Sequence, residues 1–533
     1  MNRPPIHDIN PDSSQHIGQQ DEAEQRLRHA IETSPNTAAA HANLGLLLEQ
    51  QQRYSEAEQC YRQAVLLDAT ATPYRYQLAN LLAGATREQG REEAKTLLLE
   101  IIRHEPANAP ALNCLGALLF QTGYTSAALT VYSALVAHHP QEIGAHANLG
   151  RVLLHRDQLA EAQQHFAIAL EMDPESAAAH QGLAAICQRQ GDEQRAAFHR
   201  LRGFGSQPVV TLPYRGSAPP IRMLILASAQ EGNIPWRLLI DYTRFELTTM
   251  VVEYVDLSAP LPAHDLIFNA IGDADLCMAA LDIAGQIAAL SNAPVINRPA
   301  RVQQTGRLAN AVQLRTLPGI IAPHMVHLRK TQIADHSAPA MLAQAGTKFP
   351  ILLRAPGFHG GSHFCRVEDP EALQIAAATL PGDDLLAIEF LDPRAQDGLF
   401  RKYRVMSIDA CLYPVHMAVS AEWKVHYYTS GMDTNATGRS EEAAFLNDFR
   451  ACLGPQAVAA LERIAKKIGL DYCGMDFGID AEGNVMLYEA NATMAIIPPT
   501  HEPQWDYKRD AVDNALAAAK RMFARQTATQ PTT

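Results

Sequence analysis

The chain has 533 residues, is 47% hydrophobic and carries a net charge of −13, so it is long enough for several packed domains. The net negative charge argues against a nucleic-acid binder that neutralises many phosphates, but it is compatible with a local basic pocket. The eight cysteines include no C-x-x-C pair, which favours reduced thiols over disulfides or structural zinc. No apolar signal core or membrane-spanning stretch is present, so we expect a soluble, cytoplasmic protein without membrane or nucleic-acid partners.

A repeat of 34 residues runs through the first part of the chain, with one three-residue insertion between its second and third units. Its markers are a leucine followed by a small residue, and a recurring proline: Leu44-Gly45, Leu78-Ala79, Leu115-Gly116, Leu149-Gly150 and Leu183-Ala184, with Pro106, Pro140 and Pro174. Between these markers an alanine recurs, and in most units a bulky residue follows it four positions later. The alanine lets two helices approach closely, and the bulky side chain fills the groove between them.

This pattern resembles the tetratricopeptide repeat (TPR). The resemblance implies an all-α solenoid over residues 20–203, preceded by a disordered segment over residues 1–19. Such solenoids present a concave face that commonly holds an extended peptide or another protein. We therefore expect a peptide or protein partner on this face, and a purely structural or self-associating array is the alternative.

Residues 204–220 are rich in Gly, Ser and Pro, which is typical of a linker, so a chain beginning near Ala218 is expected to fold. Over residues 221–300, strand-like runs such as "IRMLILASA" and "HDLIFNAIG" alternate with a helical stretch. This alternation predicts a small parallel α/β sheet. No G-x-G-x-x-G sequence follows the first strand, which argues against a dinucleotide site.

The stretch "DYCGMDFGIDAEGNVMLYEANATM", residues 471–494, contains two short apolar runs separated by "DAEG". Acidic and glycine residues between such runs predict a β-hairpin. Glu489 and Asn491 then share one face of their strand, and pairing brings Asp476 beside them. These oxygen donors suit Mg²⁺, whereas a hairpin with ordinary surface acids is the alternative.

The spacing of Asp476 and the "EAN" sequence resembles the metal-binding hairpin of the ATP-grasp superfamily, which includes many carboxylate–amine ligases. The resemblance implies an α+β ATP-grasp domain over residues 301–522, a pre-ATP-grasp α/β domain over 221–300 and a disordered tail over 523–533. It also implies ATP and two Mg²⁺ ions, with Mn²⁺ as a substitute. Asp476 would bind one ion, Glu489 would bridge both, and Asn491 would complete the second.

The phosphate site implied by the same resemblance contains arginines where the family usually has lysines. A glycine-rich loop allows backbone N–H groups to approach phosphate oxygens. The residues assigned to phosphate binding are Arg307, Arg354, Gly357, Gly360, Gly361 and Ser362. An arginine can still bind phosphate, but as a planar fork of donors rather than a point charge.

The sequence "LLAIEFLD" resembles the hinge of an ATP-grasp domain. The resemblance implies that the backbone of Glu389, Phe390 and Leu391 pairs with the adenine edge and that Asp392 binds the ribose; a buried linker strand is the alternative. Arg404 matches an arginine that faces the substrate or the γ-phosphate, so Arg404 and Arg354 are the candidate catalytic residues.

Three features depart from or add to the family pattern. Lys402 stands where related ligases often have Asp, and Gly474 replaces an arginine that stabilises the oxyanion in D-alanine–D-alanine ligase. The polar and aromatic insertion around Trp423 and Tyr427 either lines the acceptor site or is an ordinary surface loop.

The resemblance thus implies a carboxylate–amine ligase that forms an acyl phosphate and acts on a peptide or protein recruited by the repeats. An ATP-grasp kinase that phosphorylates a hydroxyl and a nucleotide-regulated scaffold are the alternatives.

Overall fold

A computed structural model describes residues 11–84, 88–358, 363–500 and 502–526. The predicted loop residues Gly360, Gly361 and Ser362 lie outside this range. The chain divides into two compact units. One runs to Pro174 and also contains residues 213–220 and 242–246, and the other contains residues 175–212, 221–241 and the chain from residue 247 onward.

Within the described residues, eleven helices precede the first strand. They are α1 (Pro11–Thr33), α2 (Ala38–Gln50), α3 (Tyr54–Leu67), α4 (Thr72–Ala83), α5 (Glu88–His104), α6 (Ala109–Gln121), α7 (Thr125–His138), α8 (Ile143–His155), α9 (Leu159–Met172), α10 (Ala177–Arg189) and α11 (Glu193–Phe204). The predicted helical array is confirmed, although α1 begins before residue 20. The last pair, α10–α11, belongs to the second unit.

Glycine in the first helix of a repeat makes room for an aromatic ring in the second helix. A Cβ atom on the glycine would lie 2.7 to 2.8 Å from the ring in three repeats: Gly45 against Tyr61, Gly116 against Tyr132 and Gly150 against Phe166. All three rings are fully buried. The leucine–glycine marker of the sequence therefore reports close packing between the two helices of a repeat.

Two histidine pairs occupy equivalent places, one repeat apart. The Nδ1 atoms of His146 and His165 are 3.0 Å apart, and those of His180 and His199 are 2.8 Å apart. The Nε2 of His146 lies 3.1 Å from the carbonyl oxygen of Pro140, to which it must donate. When both rings are neutral, His165 is therefore the Nδ1–H donor to His146.

A mixed five-stranded sheet follows the helices. Its strands are β1 (Val209–Thr211), β2 (Ile221–Ala227), β3 (Phe245–Val251), β4 (Leu266–Asn269) and β5 (Val295–Ile296), in the order β1-β3-β2-β4-β5. Strands β2, β4 and β5 are parallel, as predicted, whereas β1 pairs antiparallel with β3. The predicted linker thus contains a strand of this sheet. Helix α12 (Met278–Ala289) connects β4 to β5.

Two further sheets build the rest of the second unit. The four-stranded sheet is antiparallel, with β7 (Met325–Arg329), β8 (Ile351–Arg354), β9 (Phe364–Val367) and β10 (Asp384–Glu389) in the order β7-β10-β8-β9. The five-stranded sheet has the order β12-β11-β13-β14-β6, with β6 (Ile320–Ile321), β11 (Phe400–Ile408), β12 (Cys411–Ser420), β13 (Tyr472–Ile479) and β14 (Val485–Asn491).

The remaining helices surround these sheets. They are α13 (Pro299–Val302), α14 (Arg307–Leu314), α15 (Lys330–Ala334), α16 (Ala338–Gln344), α17 (Ala372–Thr379), α18 (Ala436–Asn447), α19 (Phe449–Ile468) and α20 (Arg509–Gln526). Helices α15, α16 and α17 enclose an apolar core with the four-stranded sheet. Among the described residues, each helix is too short or too polar to span a bilayer.

Candidate functional site

The predicted hairpin is confirmed as β13 and β14. Asp476 pairs directly with Glu489, and Gly474 pairs with Asn491. The register shifts after Asp476, so that Phe477 pairs with Leu487. A bulge of this kind turns side chains at the end of a hairpin, which is a common device beside functional sites. The two carboxylates and the amide named from the sequence therefore lie at one end of the hairpin.

Asp476 is a buried carboxylate held by two cationic side chains. Arg404 donates to both of its oxygens, from Nε at 2.6 Å and from a terminal nitrogen at 2.8 Å. Lys402 Nζ lies 2.7 Å from Oδ2. Both cations project from β11, the antiparallel partner of β13, where Arg404 is directly opposite Asp476. The sequence marks Lys402 only as a departure from the family pattern, whereas the structure makes it a direct partner of Asp476.

The electrostatic balance keeps Asp476 ionised. Burial alone raises the pKa of this carboxyl, but the charges of Arg404 and Lys402 outweigh burial and hold its pKa well below the ordinary range. His416 lies opposite Arg404 on β12 and is uncharged, in contrast to Asp476. Its pKa lies well below 6.5 because of burial first and the positive charge of Arg404 second, so this histidine is neutral at pH 7.

Glu489 is held from two sides. The guanidinium of Arg307, at the start of α14, donates to Oε1, and the side-chain amide of Asn491 donates to the same oxygen at 2.7 Å. The side-chain Oδ1 of Asn491 accepts from the backbone N–H and the hydroxyl of Thr493 at 3.1 and 2.9 Å. The three predicted metal ligands and Arg307 therefore lie together.

A loop of the first sheet borders the same cleft, which the sequence did not indicate. Asp275 follows β4 and accepts the backbone N–H of Arg307 through Oδ2 at 3.0 Å. Burial raises the pKa of Asp275, and the negative charges of Asp273 and Glu489 raise it further. The available signal was the position of "GDADL" at the carboxyl end of a parallel strand, where α/β folds commonly bind ligands.

Arg354 lies across the cleft at the end of β8. Its side chain is buried, donates to the carbonyl oxygen of Phe358 and lies 5.9 Å from the centre of the Phe364 ring. Burial, followed by repulsion from Arg307, lowers the pKa of Arg354 to about 10, so it remains a cation at pH 7. Gly357, which begins the glycine-rich loop, has φ of +80°, a conformation that favours glycine.

The predicted hinge begins at Glu389, the last residue of β10. The backbone N–H of Glu389 donates to the His324 carbonyl at 2.8 Å, and its Oε2 accepts the His324 N–H at 2.9 Å. The Glu389 N–H is therefore engaged within the protein rather than directed at a ligand. Phe390 carries the Arg366 guanidinium over its ring at 4.4 Å. Half-buried Leu391 follows it.

Asp392 forms a local ion pair with the neighbouring Arg394. The Nε atom of Arg394 lies 3.0 and 2.9 Å from the two carboxylate oxygens. This hydrogen bonding lowers the pKa of Asp392. A ribose hydroxyl that bound Asp392 would therefore compete with, or share, an existing partner.

The polar and aromatic insertion is anchored at both ends. Trp423 packs against Phe364 and Phe390, with ring centres 5.5 and 6.1 Å apart, and so joins β9 to the predicted hinge. Tyr427 stacks on His416 at 4.6 Å and donates to Glu442 at 3.0 Å. Phe364 lies beside Arg354, and His416 pairs with Arg404 between β12 and β11, so the insertion packs against neighbours of both arginines.

Glu442 and Lys508 form a buried ion pair behind the insertion, with nitrogen and oxygen 3.0 Å apart. Glu442 also accepts the hydroxyl of Tyr507 at 2.6 Å and the backbone N–H of Met417 at 3.2 Å. Burial lowers the pKa of Lys508. This network fixes Tyr427 and the segment before α20 against β12.

Asp476, Glu489 and Asn491 offer oxygen atoms, the ligand type that a hard cation prefers, and all three side chains already have protein partners. Within the described range no group of three or more His, Cys, Asp and Glu side chains is placed to hold a metal ion, and the predicted set contains only two such residues. Asp476 and Glu489 nevertheless oppose each other, and Mg²⁺ commonly takes one or two protein carboxylates with water and phosphate oxygens. A bound cation would replace contacts that Lys402, Arg404 and Arg307 make.

Comparison with known proteins addresses the helical region. Tetratricopeptide repeat family models match residues 38–70 and 119–186. A search of curated proteins finds no match.

Several solved structures are similar to part of the chain, with TM-scores near 0.3. YrrB, described as a TPR protein with an unusual peptide-binding site, is 23% identical with a TM-score of 0.29, over 34% of this chain and 92% of that chain. PilF of Pseudomonas aeruginosa is 19% identical with a TM-score of 0.32, over 37% and 88%. MamA from Desulfovibrio magneticus RS-1 is 24% identical with a TM-score of 0.28, over 30% and 90%. The family models identify tetratricopeptide repeats in the N-terminal helical region of this chain.

Proposed function

We propose that the chain is an ATP-dependent carboxylate–amine ligase of the ATP-grasp type. The observation that supports this most strongly is the convergence at the hairpin end. Asp476 and Glu489 oppose each other there, with Arg404 on the first and Arg307 on the second. Carboxylate oxygens that alternate with arginines suit a nucleoside triphosphate bound with Mg²⁺.

Each cation has a distinct place around the proposed phosphate path. Arg307 and Arg354 border one cleft with Gly357, where both guanidinium groups and backbone N–H groups can bind phosphate oxygens. Arg404 lies on the neighbouring strand and points at Asp476. By the family resemblance, Arg404 is assigned to the phosphoryl group that is transferred, whose negative charge it would stabilise in the transition state.

The proposed reaction has two steps. A substrate carboxylate oxygen attacks the γ-phosphorus of ATP, and the bond to the bridging oxygen breaks to release ADP. An amine then attacks the acyl carbon, loses a proton, and phosphate leaves with the electrons of the broken C–O bond. Mg²⁺ that arrives with ATP neutralises phosphate charge. The protein groups bind and orient the reactants, and no side-chain nucleophile is required.

The substrate is proposed to be a peptide or protein. Repeats of this type form extended surfaces that bind polypeptides, and the chain joins them to a cleft able to bind a small anionic group. Recruitment by the repeats would raise the local concentration of the segment to be modified.

Trapping with hydroxylamine tests the proposal. The full chain is mixed with ATP, Mg²⁺, hydroxylamine and a pool of synthetic peptides that carry Asp, Glu and C-terminal carboxylates. A hydroxamate should form because hydroxylamine intercepts an acyl phosphate. The Asp476→Asn variant should lose this product, whereas Asp510→Asn, an exposed aspartate on α20, should retain it.

Two other outcomes would contradict the proposal. A stable product that is heavier by one phosphoryl group, without hydroxamate, would identify a kinase. Failure of the wild-type chain to bind ATP with either Mg²⁺ or Mn²⁺ would exclude the nucleotide site and, with it, both the ligase and the kinase.

A further inference from the structure

Helix α10 is linked to a loop of the sheet region within the second unit. The Nε of Arg189, the last residue of α10, lies 3.1 and 3.3 Å from the two carboxylate oxygens of Glu231, and a terminal nitrogen lies 2.6 Å from Oε1. The Gln188 side chain also accepts the Glu231 N–H at 3.5 Å. This fork fixes both the position and the orientation of the Glu231 carboxylate.

The Glu231 loop in turn supports the loop after β4. The Gly232 carbonyl accepts the N–H groups of Gly272 and Asp273 at 2.9 and 3.1 Å, and the Cys277 thiol donates to the Glu231 carbonyl at 3.2 Å. Gly232 has φ of +108°, and a Cβ there would lie 2.9 Å from the Asp273 Cβ. The two loops are therefore packed with no space for a side chain between them.

The loop after β4 reaches the nucleotide cleft by two contacts. Asp273 Oδ1 accepts the backbone N–H of Asp275 at 2.8 Å, and Asp275 accepts the backbone N–H of Arg307. A Cβ on Gly272 would lie 2.9 Å from the Thr493 side chain, next to Asn491. Displacement of this loop would thus move Arg307 and the end of the hairpin together.

We propose that Arg189 and Glu231 are a positioning pair that couples the last TPR helix pair, α10–α11, to the nucleotide cleft. When the pair is closed, the Gly232 loop holds Asp273 and Asp275, and Asp275 holds the start of α14 so that Arg307 faces Glu489. The inference rests on the proposed function only in taking a nucleotide as the ligand of the cleft. It adds a regulatory role: a polypeptide that moves α10 changes nucleotide affinity.

Calorimetric titration of the full chain with Mg·ATP tests the pair. Arg189→Ala and Glu231→Ala should each weaken binding by roughly fivefold, a typical strength for coupled sites. Exchange of the two charges, Arg189→Glu with Glu231→Arg, should restore most of the affinity. The matched control is Arg195→Ala on α11, because Arg195 is more exposed and pairs with Asp192 instead, at 3.8 Å. This control should bind like the wild type.

Hydrogen exchange separates coupling from a general loss of stability. Mg·ATP should slow exchange of the Gly232 loop and the end of α10 in the wild type, and this protection should be absent in Arg189→Ala. Unchanged affinity in both single variants, or protection that persists without Arg189, would overturn the proposal. If the wild type binds no nucleotide, the proposed function fails by itself. The pair is then tested in the free protein, where Arg189→Ala should speed exchange around Asp275, and unchanged exchange would refute it.

Discussion

Lys402 and Arg404 place two positive charges on one buried carboxylate, Asp476. One of them would be sufficient to neutralise it. Arg404 satisfies both oxygens as a fork, whereas Lys402 adds a second contact to Oδ2. Lys402 therefore competes with any cation that binds Asp476, whereas Arg404 fixes the orientation of the Asp476 carboxylate.

We expect Lys402→Met to tighten the binding of Mn²⁺ to the nucleotide-free protein by at least about tenfold. A tenfold change corresponds to about 1.4 kcal/mol, and a unit charge about 4 Å from a cation opposes it by between about 1 kcal/mol in water and about 4 kcal/mol at an effective dielectric constant of about 20. Electron paramagnetic resonance of free Mn²⁺ measures this affinity. Lys424→Met removes a charge from the insertion and should have a smaller effect. Equal or weaker binding in Lys402→Met would show that Asp476 does not hold the ion.

At the scale of elements, the histidine pairs connect the two helices of a repeat. His165 donates to His146, whose other nitrogen is committed to Pro140. Burial, and then the positive charge that His146 can carry, lower the pKa of His165. A histidine with a lowered pKa binds protons less readily in the folded than in the unfolded state. The contribution of neutral His165 to the stability is therefore fully present above the pKa of a histidine in the unfolded state, about 6.5. This contribution is lost as the pH falls below that value.

We expect helices α8 and α9 to open more readily at pH 5.5 than at pH 7.5, with the opening equilibrium changed by about tenfold for each unit of pKa difference. His165→Asn should flatten this dependence, because asparagine keeps a donor nearby and does not titrate. Hydrogen exchange, corrected for the intrinsic rate at each pH, reports the opening. His138→Asn, at an exposed position on α7, is the control and should behave like the wild type. If the opening equilibrium of His165→Asn depended on pH as strongly as that of the wild type, other groups would be responsible for the pH effect.

Local patterns predicted the elements better than the contacts between them. The repeat and the hairpin register follow from side-chain periodicity, so Asp476 and Glu489 were placed correctly as neighbours. The contact of Asp275 with Arg307 joins residues 32 positions apart in different elements, and no periodicity encodes it. The same holds for Lys402, whose strand position was visible but whose partner depends on how β11 and β13 pair.

At the scale of the whole molecule, the boundary between compact units differs from the linker that composition indicates. Residues 175–212 belong to the second unit, in which β1 pairs with β3 and Arg200 of α11 is buried beside Tyr254. A polar, glycine-rich composition marks residues that tolerate a turn, but it does not show which side of the turn packs with which core. Long-range burial decides that question.

We therefore expect a chain beginning at Glu175 to unfold cooperatively and to bind nucleotide like the full chain, because it retains α10, α11 and β1. A chain beginning at Ala218 should be less stable by at least a few kcal/mol, since it exposes the apolar surface that these elements cover. Urea unfolding followed by tryptophan fluorescence compares the two. Equal stability would place the boundary at the linker.

The close packing around Gly474 restricts the substitutions that this end of the hairpin can accept. A Cβ at this position would lie 2.5 Å from the Cβ of Met494, so any side chain there collides with a neighbouring backbone-anchored atom. A larger residue can therefore stand at position 474 only if the segment that carries Met494 moves as well. The two positions together fix the free volume at this end of the hairpin.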